Sequence, residues 1–184
     1  MMGNSGFLQR LNTILWAVLP FFLSLFCVML YVAPLRLGNF TIPMPLFPFM
    51  AIYFWSMTRP EYMPYIAVFL IGLFQDLLTG GPVGLWALTY LLSVVFLSTQ
   101  IEVIAGRGRS VLWAGFLLAV LIAMVLVWVF ARIALGPDPA GGRLGAEMVL
   151  SLLFYPFMGR FFMMVQRATN QARRLTVTST MVDL

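Results

Sequence analysis

Gly72-Leu73-Phe74-Gln75-Asp76-Leu77-Leu78-Thr79-Gly80-Gly81-Pro82-Val83-Gly84-Leu85-Trp86-Ala87-Leu88 decides how this chain is read. It sets a carboxylate, a side-chain amide and a Gly-Gly-Pro break between two long apolar runs. If those runs cross a membrane, Asp76 lies inside the bilayer or at its edge. A charge at the centre of a spanning helix costs about 2.5–3.5 kcal/mol on insertion scales. Such a residue marks a functional site or a packing device with a partner of its own. Gly72, Asp76, Gly80 and Gly84 recur every four residues, so Gly72 and Asp76 share one helical face. Pro82 disfavours helical backbone at Gly81. Gly80 and Gly81 therefore read as a helix C-terminus and turn, and Gly84 opens the next span.

The surrounding chain supports a membrane reading. Of 184 residues, 62% are hydrophobic and 9% charged, and the mean hydropathy is +0.98. Soluble domains carry about 25% charged residues. The expected fold is therefore all-α: one polytopic membrane domain over residues 1–184, with no polar segment long enough to fold alone.

Spanning helices need about 17–25 residues. Six spans are expected, at about 11–33, 44–57, 64–79, 84–104, 111–135 and 146–164, with a polar cytoplasmic tail over 165–184. The first run is longer than the 7–15-residue core of a signal peptide, and reads as an uncleaved span with Pro20 inside it. Pro43, Pro45 and Pro48 crowd the start of the second. Tyr53, Phe54 and Trp55 near its end read as an interfacial aromatic belt. Asp76 follows Pro64 by 12 residues, about 18 Å of helix, so it sits near the far end of span three. With both termini cytoplasmic, Arg10, Arg59, Arg107, Arg109, Arg160, Arg167, Arg173 and Arg174 face inward. Arg36, Arg132 and Arg143 face outward. That asymmetry follows the positive-inside rule.

All 11 basic residues are arginine; lysine and histidine are absent. This removes Schiff-base and P-loop lysines and histidine bases or metal ligands. Cys27, the single cysteine, reads as a small buried hydrophobe. No cofactor, metal or nucleic-acid partner is expected. An intramembrane aspartyl enzyme needs two carboxylates. Glu102 falls near the surface opposite Asp76, so no second carboxylate is expected at its depth.

The order Tyr53-Phe-Trp-Ser-Met-Thr-Arg-Pro-Glu61, then Gly72-Leu-Phe-Gln-Asp76-Leu-Leu-Thr-Gly80-Gly-Pro-Val-Gly84-Leu, then Tyr155-Pro156, resembles the MreD family of rod shape-determining membrane proteins. The resemblance covers nearly the whole chain. It implies a non-enzymatic role in the bacterial elongation machinery of the inner membrane, which inserts side-wall peptidoglycan. It further implies MreC as partner, with the polymerase RodA, a class B penicillin-binding protein and the actin-like MreB. It implies a fold similar to the substrate-binding subunits of energy-coupling-factor transporters. The longer polar tail after Arg174 departs from many relatives.

Two readings stand for Asp76. One is a polar anchor near the outer surface, holding a partner's helix or accepting backbone amides of the Gly80–Gly84 turn. The other is internal structure: an ion pair with Arg132 or Arg143, or hydrogen bonds to Thr79 and nearby backbone. Gln75 faces the bundle or a partner. Glu102 is expected to pair with Arg107 or Arg59. Gly115, Ala119 and Ala123 form a small-residue stripe that permits close helix approach, within the bundle or against another protein. Arg107, Arg109, Arg167, Arg173 and Arg174 are basic cytoplasmic groups suited to anionic lipid. Two functions follow: a membrane scaffold for wall elongation, or the substrate-binding subunit of a vitamin-type transporter.

Overall fold

The structure, a computed structural model, describes residues 4–33, 36–37, 40–41, 43–99, 108–136 and 141–182. These form six α-helices: α1 (Asn4–Val32), α2 (Phe47–Thr58), α3 (Tyr65–Thr79), α4 (Leu85–Ser98), α5 (Arg109–Leu135) and α6 (Gly141–Val182). One 3-10 turn, Pro60–Tyr62, joins α2 to α3. A two-residue antiparallel pair, β1 (Arg36–Leu37) with β2 (Phe40–Thr41), follows α1, a small departure from the all-helical expectation.

The helix α2 is the centre of the bundle. Ten of its 12 residues are buried, and it packs on α1, α4, α5 and α6. Its sequence explains this. Phe47-Pro-Phe-Met-Ala-Ile-Tyr-Phe-Trp-Ser-Met-Thr58 has no polar face, and a helix apolar all round is buried all round. The aromatic belt expected at its end is thereby corrected. Tyr53, Phe54 and Trp55 are core residues, not interfacial anchors. Pro48 sits in the first turn, where its missing N–H costs nothing. The irregular stretch before it is covered: Leu46 is fully buried, and its N–H donates to Ser151 Oγ on α6 at 2.9 Å.

Aromatic rings tie the helices around α2. Phe49 stacks on Tyr90 of α4 at 5.5 Å, and Phe116 of α5 lies 5.4 Å from Tyr53. Phe116 in turn stacks on Tyr155 of α6 at 3.9 Å. Such pairs contribute about 0.5–1.5 kcal/mol each beyond their buried area. The Tyr53 hydroxyl donates to the Leu112 carbonyl at 3.0 Å, fixing the first turn of α5 on α2.

The stretches Ser110–Ala134 and Leu144–Asn170 are each long and apolar enough to cross a membrane. Fewer residues are buried in the second than in the first, 17% against 44% of the most apolar window, so α6 forms an edge of the bundle. α2, α3 and α4 are shorter, with 12, 15 and 14 residues. Residues 165–182 do not leave the fold as a separate tail. α6 runs unbroken through them, and Asn170 accepts from Arg59 Nη2 at 3.2 Å. Arg59 also pairs with Glu61 at 3.2 Å. Glu102, expected to pair with Arg107 or Arg59, lies with Arg107 outside the described residues.

Candidate functional site

The helices α3 and α4 form the most extensive pair in the fold, and the motif builds their junction. α3 ends at Thr79. Gly80 takes a left-handed conformation, φ 67°, and its N–H donates to the Asp76 carbonyl at 3.2 Å. The chain turns through Gly81-Pro82-Val83 and starts α4 at Leu85, with Gly84 as N-cap at φ 99°. A glycine cap has no side chain to satisfy the free N–H groups of the first turn.

Asp76 does that work from α3. Its Oδ2 accepts the N–H of Gly84 at 2.9 Å and of Ala87 at 3.2 Å, and its Oδ1 accepts the N–H of Trp86 at 2.9 Å. A carboxylate at a helix N-terminus also meets the positive end of the helix dipole. The residue is 1% exposed, so both oxygens are taken inside the chain. The turn amides between Gly80 and Val83 are not its partners. Nor is Arg132, whose guanidinium lies 4.9 Å over the Trp128 ring. The Arg143 side chain lies outside the described residues.

Gly72, one turn earlier on the same face, lets the helices close. A Cβ there would lie 2.5 Å from the Ala87 Cα and 2.7 Å from the Ala87 nitrogen. Both contacts are backbone, so only a hydrogen fits. The far end of the hairpin is held by the Tyr65 hydroxyl, which donates to Ser98 Oγ at 3.2 Å. The motif is thus a clasp: a small residue for approach, a carboxylate for the cap and two glycines for the turn.

Gln75 faces inward beside the clasp, fully buried. Its Oε1 accepts the Tyr90 hydroxyl at 2.7 Å, while its Nε2 has no protein partner. Tyr90 also contacts Trp86, which meets Tyr31 of α1 at 6.0 Å.

A second buried carboxylate belongs to this region. Glu147 on α6 is 2% exposed and accepts the Tyr31 hydroxyl at 3.4 Å. Tyr31 links it to the clasp, since its ring lies 6.0 Å from that of Trp86, whose backbone N–H donates to Asp76. The sequence reading missed Glu147, and its statement that Asp76 has no second carboxylate at its depth is corrected. The signal was present in the spacing of Glu147, Ser151 and Tyr155, which puts all three on one face of α6. Ser151 Oγ donates to the Glu147 carbonyl at 2.6 Å. Among the described residues no three carboxylate or thiol groups converge as metal ligands would. What this arrangement does chemically is bind helix to helix, because the oxygens of Asp76 are filled by backbone donors.

The stripe of Gly115, Ala119 and Ala123 is buried as well, on the inward face of α5, which packs on α4 and α6. It is used within the bundle, not as a surface for another protein. Arg167 is exposed, with Nη2 3.9 Å from Met163 Sδ. Arg109 opens α5, and Arg173 and Arg174 lie on α6; their side chains lie outside the described residues.

The chain matches the family described as rod shape-determining protein MreD over residues 11–165. It belongs to the MreD family. Membership makes it a membrane protein involved in determining rod shape, and the match includes the whole clasp from Gly72 to Ala87. No curated protein and no solved structure matches it.

Proposed function

We propose that the protein is a non-catalytic membrane scaffold of the cell-wall elongation complex. It maintains rod shape by assembling or regulating side-wall peptidoglycan synthesis. In this reading it crosses the bacterial inner membrane six times with both termini in the cytoplasm. The shorter helices α2, α3 and α4 are each one crossing. MreC is the first partner, with RodA, a class B penicillin-binding protein and, indirectly, MreB around the pair. The fold is of the kind used by the substrate-binding subunits of energy-coupling-factor transporters.

The observation that carries this reading is the inward use of the motif. Asp76, Gln75 and Gly72 hold α3 on α4, and all three are buried. The apolar exterior remains for contact: Phe22 and Phe26 on α1, Ile66 and Leu70 on α3, and Leu153 and Phe157 on α6 are all exposed. A transport subunit would instead need an opening to the buried Trp86, Tyr90 and Glu147. Two cavities, of about 600 and 370 Å³, lie elsewhere and are walled mainly by apolar side chains.

The test is a pull-down of tagged protein in mild detergent, joined to depletion and microscopy. Recovery of MreC or wall synthases, with cells rounding on depletion, is the expected result. Recovery of an ATPase module, with normal shape and a vitamin requirement, would overturn the scaffold reading.

A further inference from the structure

The rings of Phe116, in the first third of α5, and Tyr155 bring α5 and α6 together. Toward the N-terminus of α5 the two helices part around a cavity of about 600 Å³, within the usual range of small-molecule sites. Its walls are Phe54, Trp113, Tyr155 and Met163, and Gly159 leaves it open on the α6 side. Only Ser110 and Arg160 bring a polar or charged side-chain end to the lining, apart from the Tyr155 hydroxyl and Trp113 indole, and both are exposed, so they stand at the mouth.

Arg160 makes no ion pair among the described residues; the one such pair is Arg59 with Glu61. Beside it α5 begins without a side-chain cap. The Leu112 N–H donates to the Gly108 carbonyl at 3.3 Å. The N–H groups before it point out of the helix end, where an anion is favoured.

We propose that this crevice seats a glycerophospholipid with an anionic headgroup. Its acyl chains lie in the apolar trough, and its phosphate meets the Arg160 guanidinium and the uncapped first turn of α5. A guanidinium offers paired donors that match phosphate oxygens. The polarity is graded as such a ligand requires, cationic at the mouth and apolar within. A partner's helix, about 10 Å across, needs an unbroken groove, and the Phe116–Tyr155 contact closes this one. The site requires the membrane, and its assignment to the inner leaflet rests on the six-crossing topology of the scaffold reading. Lipid retention in detergent does not depend on that topology or on wall partners, so the two proposals fail separately.

The full chain is exchanged in mild detergent into equal amounts of phosphatidylglycerol, phosphatidylethanolamine and diacylglycerol with the same chains. Retained lipid is then counted by native mass spectrometry. The wild type keeps phosphatidylglycerol above the other two. Arg160→Gln lowers its preference over diacylglycerol by roughly fivefold or more, the worth of one basic group at an anionic surface. Arg132→Gln, at the other end of α5, leaves the preference unchanged. Gly159→Leu fills the trough and loses all three lipids. Gly159→Ala keeps them, because its Cβ would meet Tyr155 at an ordinary 3.9 Å. Equal retention of the three lipids by the wild type, or an unchanged preference in Arg160→Gln, overturns the proposal. It falls also if the chain keeps no lipid and Gly159→Leu instead loses a co-purifying protein, which would make the crevice a seat for a protein helix.

Discussion

Replacing Asp76 by alanine removes the acceptor for three backbone N–H groups at the start of α4. Two of these, on Trp86 and Ala87, belong to buried residues, whereas Gly84 is half-buried at the turn. A hydrogen bond to a charged group contributes about 1.5–3 kcal/mol. Water can reach Gly84, so the loss is set by the other two, about 3–6 kcal/mol. Asp76→Asn keeps one oxygen. Turned toward Gly84 and Ala87, it saves two bonds and sets an NH2 group against the Trp86 N–H, a loss of about 1.5–3 kcal/mol. For a chain of this length 1 kcal/mol moves the melting point by about 2–4 °C. The alanine variant should therefore melt at least ~6 °C below wild type and the asparagine variant at least ~3 °C below. Cys27 is the only cysteine and is 2% exposed. A fluorogenic thiol reagent in detergent thus reports unfolding without an added probe. Melting points within ~2 °C of wild type for both variants would refute the clasp, as would asparagine costing more than alanine.

Gly72→Ala drives a Cβ into the backbone of Ala87; it should cost about 1–3 kcal/mol, and Ala87→Gly should not rescue it, since that change leaves the obstructing atoms in place. Gln75→Leu strands the Tyr90 hydroxyl and should lower the melting point, while the double variant with Tyr90→Phe should recover most of the loss, because removing both partners of a buried bond is nearly neutral; a double variant no better than Gln75→Leu would speak against that bond. Gly115→Leu puts a large side chain on the buried face of α5 and should destabilise the fold by about 1–3 kcal/mol, read in the same thiol assay; an unchanged melting point would remove the stripe from the packing.

The end of α3 was legible because its signals are local. A glycine pair before a proline marks a helix end wherever the rest of the chain lies, and the four-residue spacing of Gly72 and Asp76 fixes a shared face by helical geometry alone. Among the donors to Asp76, the Gly84 amide belongs to the Gly80–Gly84 turn that the motif marks, but those of Trp86 and Ala87 were not legible in the same way. They depend on α4 folding back antiparallel, so that its first turn opposes the last full turn of α3. The one hint was Gly84, a cap without a side chain, which leaves the cap to be supplied from elsewhere. The aromatics of α2 failed for a related reason. Tyr53, Phe54 and Trp55 at the edge of an apolar run obey the rule for interfacial belts. That rule assumes the helix has a lipid side, and α2 has none. Glu147 was passed over because it follows a loop rich in glycine and proline; its face becomes visible only when Ser151 and Tyr155 are counted with it.

This division between local and tertiary signals bears on how rod shape depends on the motif. Asp76 is the charged residue that first draws attention, yet its oxygens are occupied by the chain's own backbone. A substitution there acts on shape through the α3–α4 hairpin, and through it on Trp86 and Tyr90, which face α1 and α2. Loss of shape in an Asp76 variant should therefore track loss of melting temperature across the alanine and asparagine series. A surface contact should behave in the opposite way. Exchanges on the exposed side of α1, such as Phe22→Ala or Phe26→Ala, remove no buried neighbour and should leave melting unchanged, so any change in cell width they cause is a change in partnership.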